Sequence, residues 1–449
     1  MDQATVTKYE RPAAPSFGEA FAYWLKLGFI SFGGPAGQIA IMHQELVEKR
    51  RWISERRFLH ALNYCMLLPG PEAQQLAIYL GWLLHRTWGG IVAGTLFVLP
   101  SLFILCALSY VYLAFGDLPV VKGLFNGVKP AVVAIVVFAA WRIGSRALKN
   151  ALLWLLAAAS FVAIFAFQLP FPAIVLAAGA LGLIGGKLKP ESFRVGGGHT
   201  AADQHYGPAL IDDDTPAPAH TRFRLGYLVR LLVVALLIWV AAIALLAHPV
   251  LREMGEFFTK AALLTFGGAY AVLPYVYQGA VDSYGWLSGP QMIDGLALGE
   301  TTPGPLIMVV AFVGFVGGWS KEIFGADTLF LAGFAGAATA TFFTFLPSYV
   351  FILAGAPLVE ATHGDLTFTA PLTAITAAVV GVILNLAIFF GHHVLWPDAT
   401  AGAPFAGSFQ WFHALISLAA FLALWRYQQD IIKVIAASAL IGLSHTLLV

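Results

Sequence analysis

Long apolar stretches separated by short polar ones run through most of the chain. Ala151 to Leu169 carries no charged residue, and Leu225 to Ala247 carries only Arg230, near one end. Roughly 20 mainly apolar residues in a helix cross the hydrocarbon of a bilayer, so the pattern predicts membrane-spanning helices. One polar stretch, from about Leu188 to Arg222, interrupts it. With Gly196 to Gly198, Asp212 to Asp214, Pro216 and Pro218, that stretch has too little apolar surface to fold by itself and reads as a solvated linker.

The two sides of this linker are related. Adding 234 to the numbering lays Phe32-Gly33-Gly34 on Phe266-Gly267-Gly268, Trp52 on Trp286, Ser54 on Ser288, and Pro69-Gly70-Pro71 on Pro303-Gly304-Pro305, without a gap. After an insertion of 13 residues, an offset of 247 lays Leu99-Pro100-Ser101 on Leu346-Pro347-Ser348 and Ala131-Val132-Val133 on Ala378-Val379-Val380. Shared apolar composition would match Leu and Ala, not Trp and Pro-Gly-Pro, so the chain is an internal duplication of the kind transporters use.

Charge decides orientation. The first half's loop holds Lys49, Arg50, Arg51, Arg56 and Arg57, whereas its counterpart, Asp282 to Gln291, has no Lys or Arg. Under the positive-inside rule the first loop is cytoplasmic and the second is not. Arg142, Arg146 and Lys149, with Lys187, Lys189, Arg222 and Arg224, also belong in the cytoplasm. Both placements hold only if Arg57 to His85, interrupted at Pro69-Gly70-Pro71, enters and leaves on one side as re-entrant half-helices. The expected fold class is an all-α polytopic membrane protein with two inverted-topology repeats and broken or re-entrant helices. Its parts are an N-terminal tail (1–16), a first membrane repeat (17–187), a cytoplasmic linker (188–222), a connecting membrane helix (223–252) and a second membrane repeat (253–449).

Composition narrows the function. Of the 449 residues 59% are hydrophobic and 11% charged, against about a quarter charged in soluble domains; a soluble globular enzyme is excluded. The net charge of +1 gives no field that would recruit nucleic acid. Cys65 and Cys106 form no CxxC pair, and the polar first sixteen residues do not read as a cleaved signal peptide. The histidines show no HExxH spacing, His392-His393 reads as a solvated turn, and GxxxxGK[ST] is absent. Neither a metal, a cofactor nor ATP is called for.

Chemistry is expected at the breaks. Gly33, Gly34 and Pro35, then Pro69, Gly70, Pro71 and Glu72, interrupt apolar helices in the first half. Gly267 and Gly268, then Glu300, Thr301, Thr302, Pro303, Gly304 and Pro305, do so in the second, where Ala269 starts the next half-helix. Free backbone groups in a bilayer are tolerated only where protein or a water-filled cavity covers them. Half-helices starting near Pro35, Pro71, Ala269 and Pro305 would aim up to four positive helix ends at one place and form an anion site. A packing kink is the alternative. Lys26 and Lys260 are equivalent, each five residues before a Ser/Thr-Phe-Gly-Gly break; an intramembrane ammonium there reads as functional, and snorkelling to the interface is the other reading. Glu72 and Glu300 could pair with a lysine or take a proton, Glu72 alternatively capping its helix. Gln44, Gln278, Asn63, Gln74, Gln75 and the two threonines suit interhelical hydrogen bonds better than anion contacts. Trp52 and Trp286 suit interface anchors, and Gly182 with Gly186 and Gly314 with Gly318 suit close helix packing.

At these residues the sequence resembles the chromate ion transporter family in its long two-domain form. The likeness is carried by FGGPAGQIAIMHQELVEKRRWIS from Phe32 to Ser54, LLPGPEAQQLAIYLGW from Leu67 to Trp82, TFGGAYAVLPYV from Thr265 to Val276 and GETTPGPLIMVVAFVGF from Gly299 to Phe315. The resemblance implies chromate efflux across the cytoplasmic (inner) membrane, giving chromate resistance, with sulfate as the close analogue. One charge moved through 100 mV is worth about 2.3 kcal/mol, so a dianion leaving an inside-negative cell gains about 4.6 kcal/mol. Uptake or exchange of sulfate or another oxyanion is the runner-up and would need coupling. A membrane-embedded enzyme or lipid carrier is a third class, and the lack of a nucleophile, metal or redox constellation argues against the enzyme. The expected partners are chromate or sulfate and the lipid bilayer; the oligomeric state is open, a homodimer included.

Overall fold

The computed structural model describes residues 11–32, 34–193, 206–213, 215, 219–362, 369–399 and 403–448. Gly33, Gly196 to Gly198, Asp214, Pro216 and Pro218 lie outside the described residues, as does most of the tail 1–16. Before the linker come α1 (Phe17–Ile30), α2 (Gly34–His43) continued by a π-turn (Gln44–Lys49), α3 (Glu55–Cys65), α4 (Glu72–Phe115), α5 (Pro119–Ala147), α6 (Ala151–Phe165), α7 (Phe171–Leu188) and the short α8 (Pro190–Phe193). After it come α9 (Leu225–Leu245), α10 (Pro249–Leu263), α11 (Ala269–Tyr277) continued by a π-turn (Gln278–Ser283), α12 (Gly289–Thr301), α13 (Val309–Ser320), α14 (Leu329–Thr362), α15 (Thr369–Leu395), α16 (Trp411–Trp425) and α17 (Ile431–Leu448). Among the described residues seven helices are long and apolar enough to cross a membrane. The chain is an all-α polytopic membrane protein.

The duplication is legible helix by helix. The 234 offset lays the π-turn Gln44–Lys49 on Gln278–Ser283. Ser54 and Ser288 do the same job, each accepting from a backbone N–H in the first turn of the helix it caps. The inserted residues fall where α4 is broken at His85 and Arg86, the latter at φ 58°; the second half has a longer connection there, between α13 and α14. A third register follows. An offset of 260 lays α6 and α7 on α16 and α17, end for end, and the intervening Gln168 and Gln428 share the left-handed conformation at φ 49° and 48°.

Contacts at the loops show how the hairpins run. Arg50 reaches Glu19 at 3.5 Å, and His85 Nε2 lies 3.1 Å from the Pro15 carbonyl. The starts of α1 and α3 and the ends of α2 and of the first segment of α4 therefore share one face, and both helix pairs are re-entrant. In the second repeat Gly317 of α13 packs against Met254 and Trp286, bringing the corresponding ends together. The two faces are opposite. Arg57 pairs with Glu360 near the end of α14 at 3.1 Å, and Ala370 at the start of α15 lies against Gly186 in the last turn of α7. Gln278 instead accepts a 3.1 Å hydrogen bond from Phe171 N–H, at the first residue of α7. The 18 residues of α7 separate those ends by about 27 Å. The repeats are inverted.

The halves also exchange helices. α5 packs on α15, α16 and α17, and α15 packs on α5, α6 and α7. The close glycine contacts expected from the sequence occur, one across the halves and one within the second: Gly182 abuts Pro371 and Ala374 of α15, and Gly314 of α13 abuts Gly336 of α14. α9 stays outside; none of its residues is buried, and Trp239 Nε1 donates to Thr259 Oγ1 of α10 at 2.9 Å.

Two expectations change. The described part of the linker is docked: Leu210 and Ile211 N–H donate to the Arg51 and Trp52 carbonyls at 2.9 and 3.0 Å, and Arg57 Nε donates to the Asp212 carbonyl at 2.9 Å. Ile211 and Ala209 are buried there, apolar residues that the surrounding Asp and Pro masked in the composition. Trp52 and Trp286 are not interface anchors; they are 4% and 1% exposed. Each fills the space beneath its hairpin loop, Trp52 under the Arg50 guanidinium at 4.8 Å and Trp286 stacked on Tyr284 at 4.6 Å.

Candidate functional site

The four breaks meet and are stitched crosswise. Gly70 N–H donates to the Thr265 carbonyl at 2.7 Å, and Gly304 N–H donates to the Ser31 carbonyl at 2.8 Å. These are one interaction seen twice, because 234 carries 31 to 265 and 70 to 304. Gln38 adds Nε2 bonds to the Ser31 and Gly304 carbonyls at 3.2 and 2.6 Å, and Gln75 Nε2 bonds to the Pro69 carbonyl at 2.7 Å. Thr302, Pro303, Gly304 and Pro305 are buried, as are Gly70 and Pro71. Broken backbone in lipid must find partners within the protein, and here each half supplies the other's. The Gly70 and Gly304 amides are thus committed to the scaffold, not presented to an anion.

The other pair of breaks faces space. Gly34 and Gly268 are equivalent, at φ 68° and 95°, and a Cβ on either would meet nothing within 4 Å. Each sits at the start of a half-helix, α2 or α11, whose first-turn N–H groups lack the i−4 acceptors of the helix interior, although in α11 Ala271 N–H bonds the Gly268 carbonyl at 3.1 Å. Pro35 follows Gly34 in the first turn of α2, where its missing N–H does no harm. Beside the second break, Thr376 Oγ1 of α15 is 3.5 Å from where a Gly267 Cβ would stand. α1, α3, α10 and α12 also end at the centre, so four negative helix ends offset the four positive ones unless a ligand approaches α2 or α11 directly.

Charged groups are distributed unequally. In the second half Tyr270 OH, in the first turn of α11, hydrogen-bonds Glu300 of α12. Arg142 of α5 acts electrostatically on both. The positions that match these three by the two offsets are Ala36, Met66 and Phe389, so the charged cluster is not repeated around the first-half breaks. Glu72 is half-buried in the first turn of α4, a place favourable for a negative charge. Thr301 and Thr302 hydroxyls donate back to the Leu298 and Gly299 carbonyls at 2.9 and 3.1 Å. Lys26 and Lys260 are exposed on the outward faces of α1 and α10, and the structure does not bring them to the breaks. Arg142, Tyr270 and Thr376 were missed from the sequence. Arg142 was read only as a loop charge, and no periodicity marks a residue that reaches a break in another helix.

A lateral cavity of about 950 Å³ lies between α4, α9 and α14, with Arg86 and Arg230 among its lining residues. None of the break residues lines it.

Comparison with known proteins places this geometry. The family model described as chromate transporter matches residues 18–183 and 252–443, which takes in all four breaks and both sets of exchanged helices. A chromate transport protein of Cupriavidus metallidurans is 31% identical over 423 residues, 94% of this chain and 91% of that one. Another chromate transport protein, from Pseudomonas aeruginosa, is 31% identical over 443 residues, 96% and 93% of the two chains. An uncharacterized transporter of Methanocaldococcus jannaschii is 24% identical over 393 residues, covering 87% and 88%. No solved structure matches. With both repeats matched along nearly their whole length, the chain belongs to the chromate transporter family.

Proposed function

We propose that this membrane transporter exports chromate, a tetrahedral dianion, across the cytoplasmic membrane and thereby confers chromate resistance. The basic face, with Lys49 to Arg57 and the docked linker, lies in the cytoplasm on this reading. The observation that carries it is the paired open space at Gly34 and Gly268, each at a half-helix N-terminus, with Arg142 acting electrostatically on Glu300 beside the second-half breaks. Main-chain N–H groups at helix starts with a nearby guanidinium are suited to oxyanions. The names of the relatives support chromate as the cargo. The crosswise Gly70–Thr265 and Gly304–Ser31 bonds couple the hairpins, so that opening one space bears on the other.

An inside-negative potential of 100 mV favours outward movement of a dianion by about 4.6 kcal/mol, so export needs no further energy source. Proteoliposomes holding only this protein test the reading. Chromate should leave vesicles whose lumen is held negative, sulfate should compete, and collapsing the potential should slow the flux. Flux of neither anion under any imposed potential would overturn it.

A further inference from the structure

α9 is long and apolar enough to span the bilayer yet buries none of its residues. It packs on α14 and α10, and between it and α4 lies the lateral cavity of about 950 Å³. Polarity in this cavity is one-ended. The Tyr227 and Thr87 hydroxyls meet at 3.4 Å, Arg86 adjoins Thr87, and Arg230 lies one turn beyond Tyr227 on the same face of α9. His220 of the linker bonds the Trp82 carbonyl at 3.0 Å, so this end lies at the face that carries the linker. Both arginines are exposed, and neither has an ion-pair partner among the described residues. Glu360, which acts on His220 as Arg86 does, is taken by Arg57 and Tyr79.

Beyond the arginines the lining is mainly apolar, with Leu102 of α4, Ile238 of α9 and Phe345 of α14, and no carboxylate is among the described lining residues. The Thr95 and Tyr349 hydroxyls satisfy each other at 3.0 Å. From Arg86 to Leu102 the cavity follows α4 for about 24 Å, close to half of a bilayer roughly 40–45 Å thick with its headgroups. Its length is that of one lipid in one leaflet. Arg86 itself is held at φ 58° and ψ −156°, backbone that suits glycine and strains any other residue. Glycine would break α4 there without strain, so what the position retains is the guanidinium.

We infer that this cavity is a binding site for one anionic phospholipid, with its phosphate between Arg86 and Arg230 and an acyl chain along α4, α9 and α14. Guanidinium groups present paired donors to phosphate oxygens, and basic pockets between membrane helices suit anionic headgroups. A free oxyanion would answer the arginines and leave the apolar length of the cavity empty. The lipid fills the gap beside α9 and ties that helix to α4 and α14.

The test uses full-length protein stripped of lipid in a maltoside detergent, with phosphatidylglycerol or phosphatidylcholine added back. Native mass spectrometry counts the bound lipid, and thermal melting reports its effect. Phosphatidylglycerol should stay on at one molecule per chain and raise the melting temperature by several degrees, whereas phosphatidylcholine should do neither. Arg86→Gly and Arg230→Gln should each weaken phosphatidylglycerol retention tenfold or more, although the glycine relieves the backbone. Ala235→Phe keeps both arginines and fills the cavity from α9, and it should lose the lipid as well. Equal retention of the two lipids, or wild-type retention of phosphatidylglycerol in Arg86→Gly or Ala235→Phe, would leave the arginines as snorkelling charges and overturn the inference. Chromate binding in lipid-free detergent should be unchanged in Arg230→Gln; a tenfold loss there would make the cavity part of the anion's route and overturn it too.

Discussion

The amide of Gly70 donates to the carbonyl of Thr265 at 2.7 Å, joining the Pro-Gly-Pro break of one repeat to the Thr-Phe-Gly-Gly break of the other. The Gly304–Ser31 bond is its image at 2.8 Å. Reciprocal main-chain bonds of this kind make each repeat's broken helix depend on its partner, so neither repeat satisfies its own backbone alone.

A side chain at these glycines should break the scaffold. A Cβ on Gly70 would stand 2.5 Å from Gln75 Nε2 and 2.7 Å from Ser348 Oγ; one on Gly304 would stand 2.9 Å from Ser101 Cβ. Both glycines also have positive φ, 126° and 100°. Gly70→Leu and Gly304→Leu should lose more than about 2 kcal/mol of stability, with folded protein and flux falling together. Thermal melting beside flux per inserted molecule checks this; intact melting with lost flux would move these glycines into the anion site.

Gly34 and Gly268 should behave in the opposite way. Alanine there meets no atom within 4 Å but fills space at a helix start. Gly34→Ala should melt within a few degrees of wild type, a left-handed φ of 68° costing about 1–2 kcal/mol. Gly268, at φ 95° and ψ 174°, occupies a region that glycine alone adopts readily, so Gly268→Ala should cost about 1–3 kcal/mol and its flux is read per folded molecule. Flux per inserted molecule should fall by tenfold or more. Near-normal flux in both would place the anion elsewhere.

Neutralising Arg142 should be more damaging than neutralising either exposed lysine. Arg142→Gln should abolish most chromate binding, with Arg142→Lys recovering little because a guanidinium and an ammonium present donors differently. Lys26→Gln and Lys260→Gln should raise KM modestly at low ionic strength. That effect should vanish near 0.5 M salt, because exposed charges steer an anion only over the Debye length. A loss of binding that persists in high salt would return the two lysines to the site.

Inversion is checked by labelling. With Cys65 and Cys106 buried, single cysteines at the exposed positions Arg56 and Asp282 should react with an impermeant maleimide from opposite sides of the membrane. Arg56→Cys is expected to label from the cytoplasm. Same-side labelling would contradict the arrangement in which Arg57 meets Glu360 on one face and Gln278 meets Phe171 on the other.

The sequence by itself determined the bilayer, the duplication, the inversion and the positions of the breaks. Each is written locally: an apolar run long enough to span, a Pro or Gly that ends a hydrogen-bond ladder, a Trp and a Ser repeated at one spacing, and a basic loop matched by one without Lys or Arg. Tertiary structure alone decided what those pieces touch. The Gly70–Thr265 bond joins residues 195 positions apart, the difference of their numbers, and no period in a sequence encodes such a distance. The 260 offset relating Gln168 to Gln428 was hidden because apolar residues interchange freely on lipid-facing helices and erase the similarity that backbone conformation retains. Burial of Trp52 and Trp286 was likewise invisible, since an aromatic ring suits an interface and a packed hairpin equally well. Arg142, which acts on Tyr270 and Glu300 beside the second-half breaks, comes from α5, which has no break of its own; only packing brings a side chain to bear on a gap in another helix.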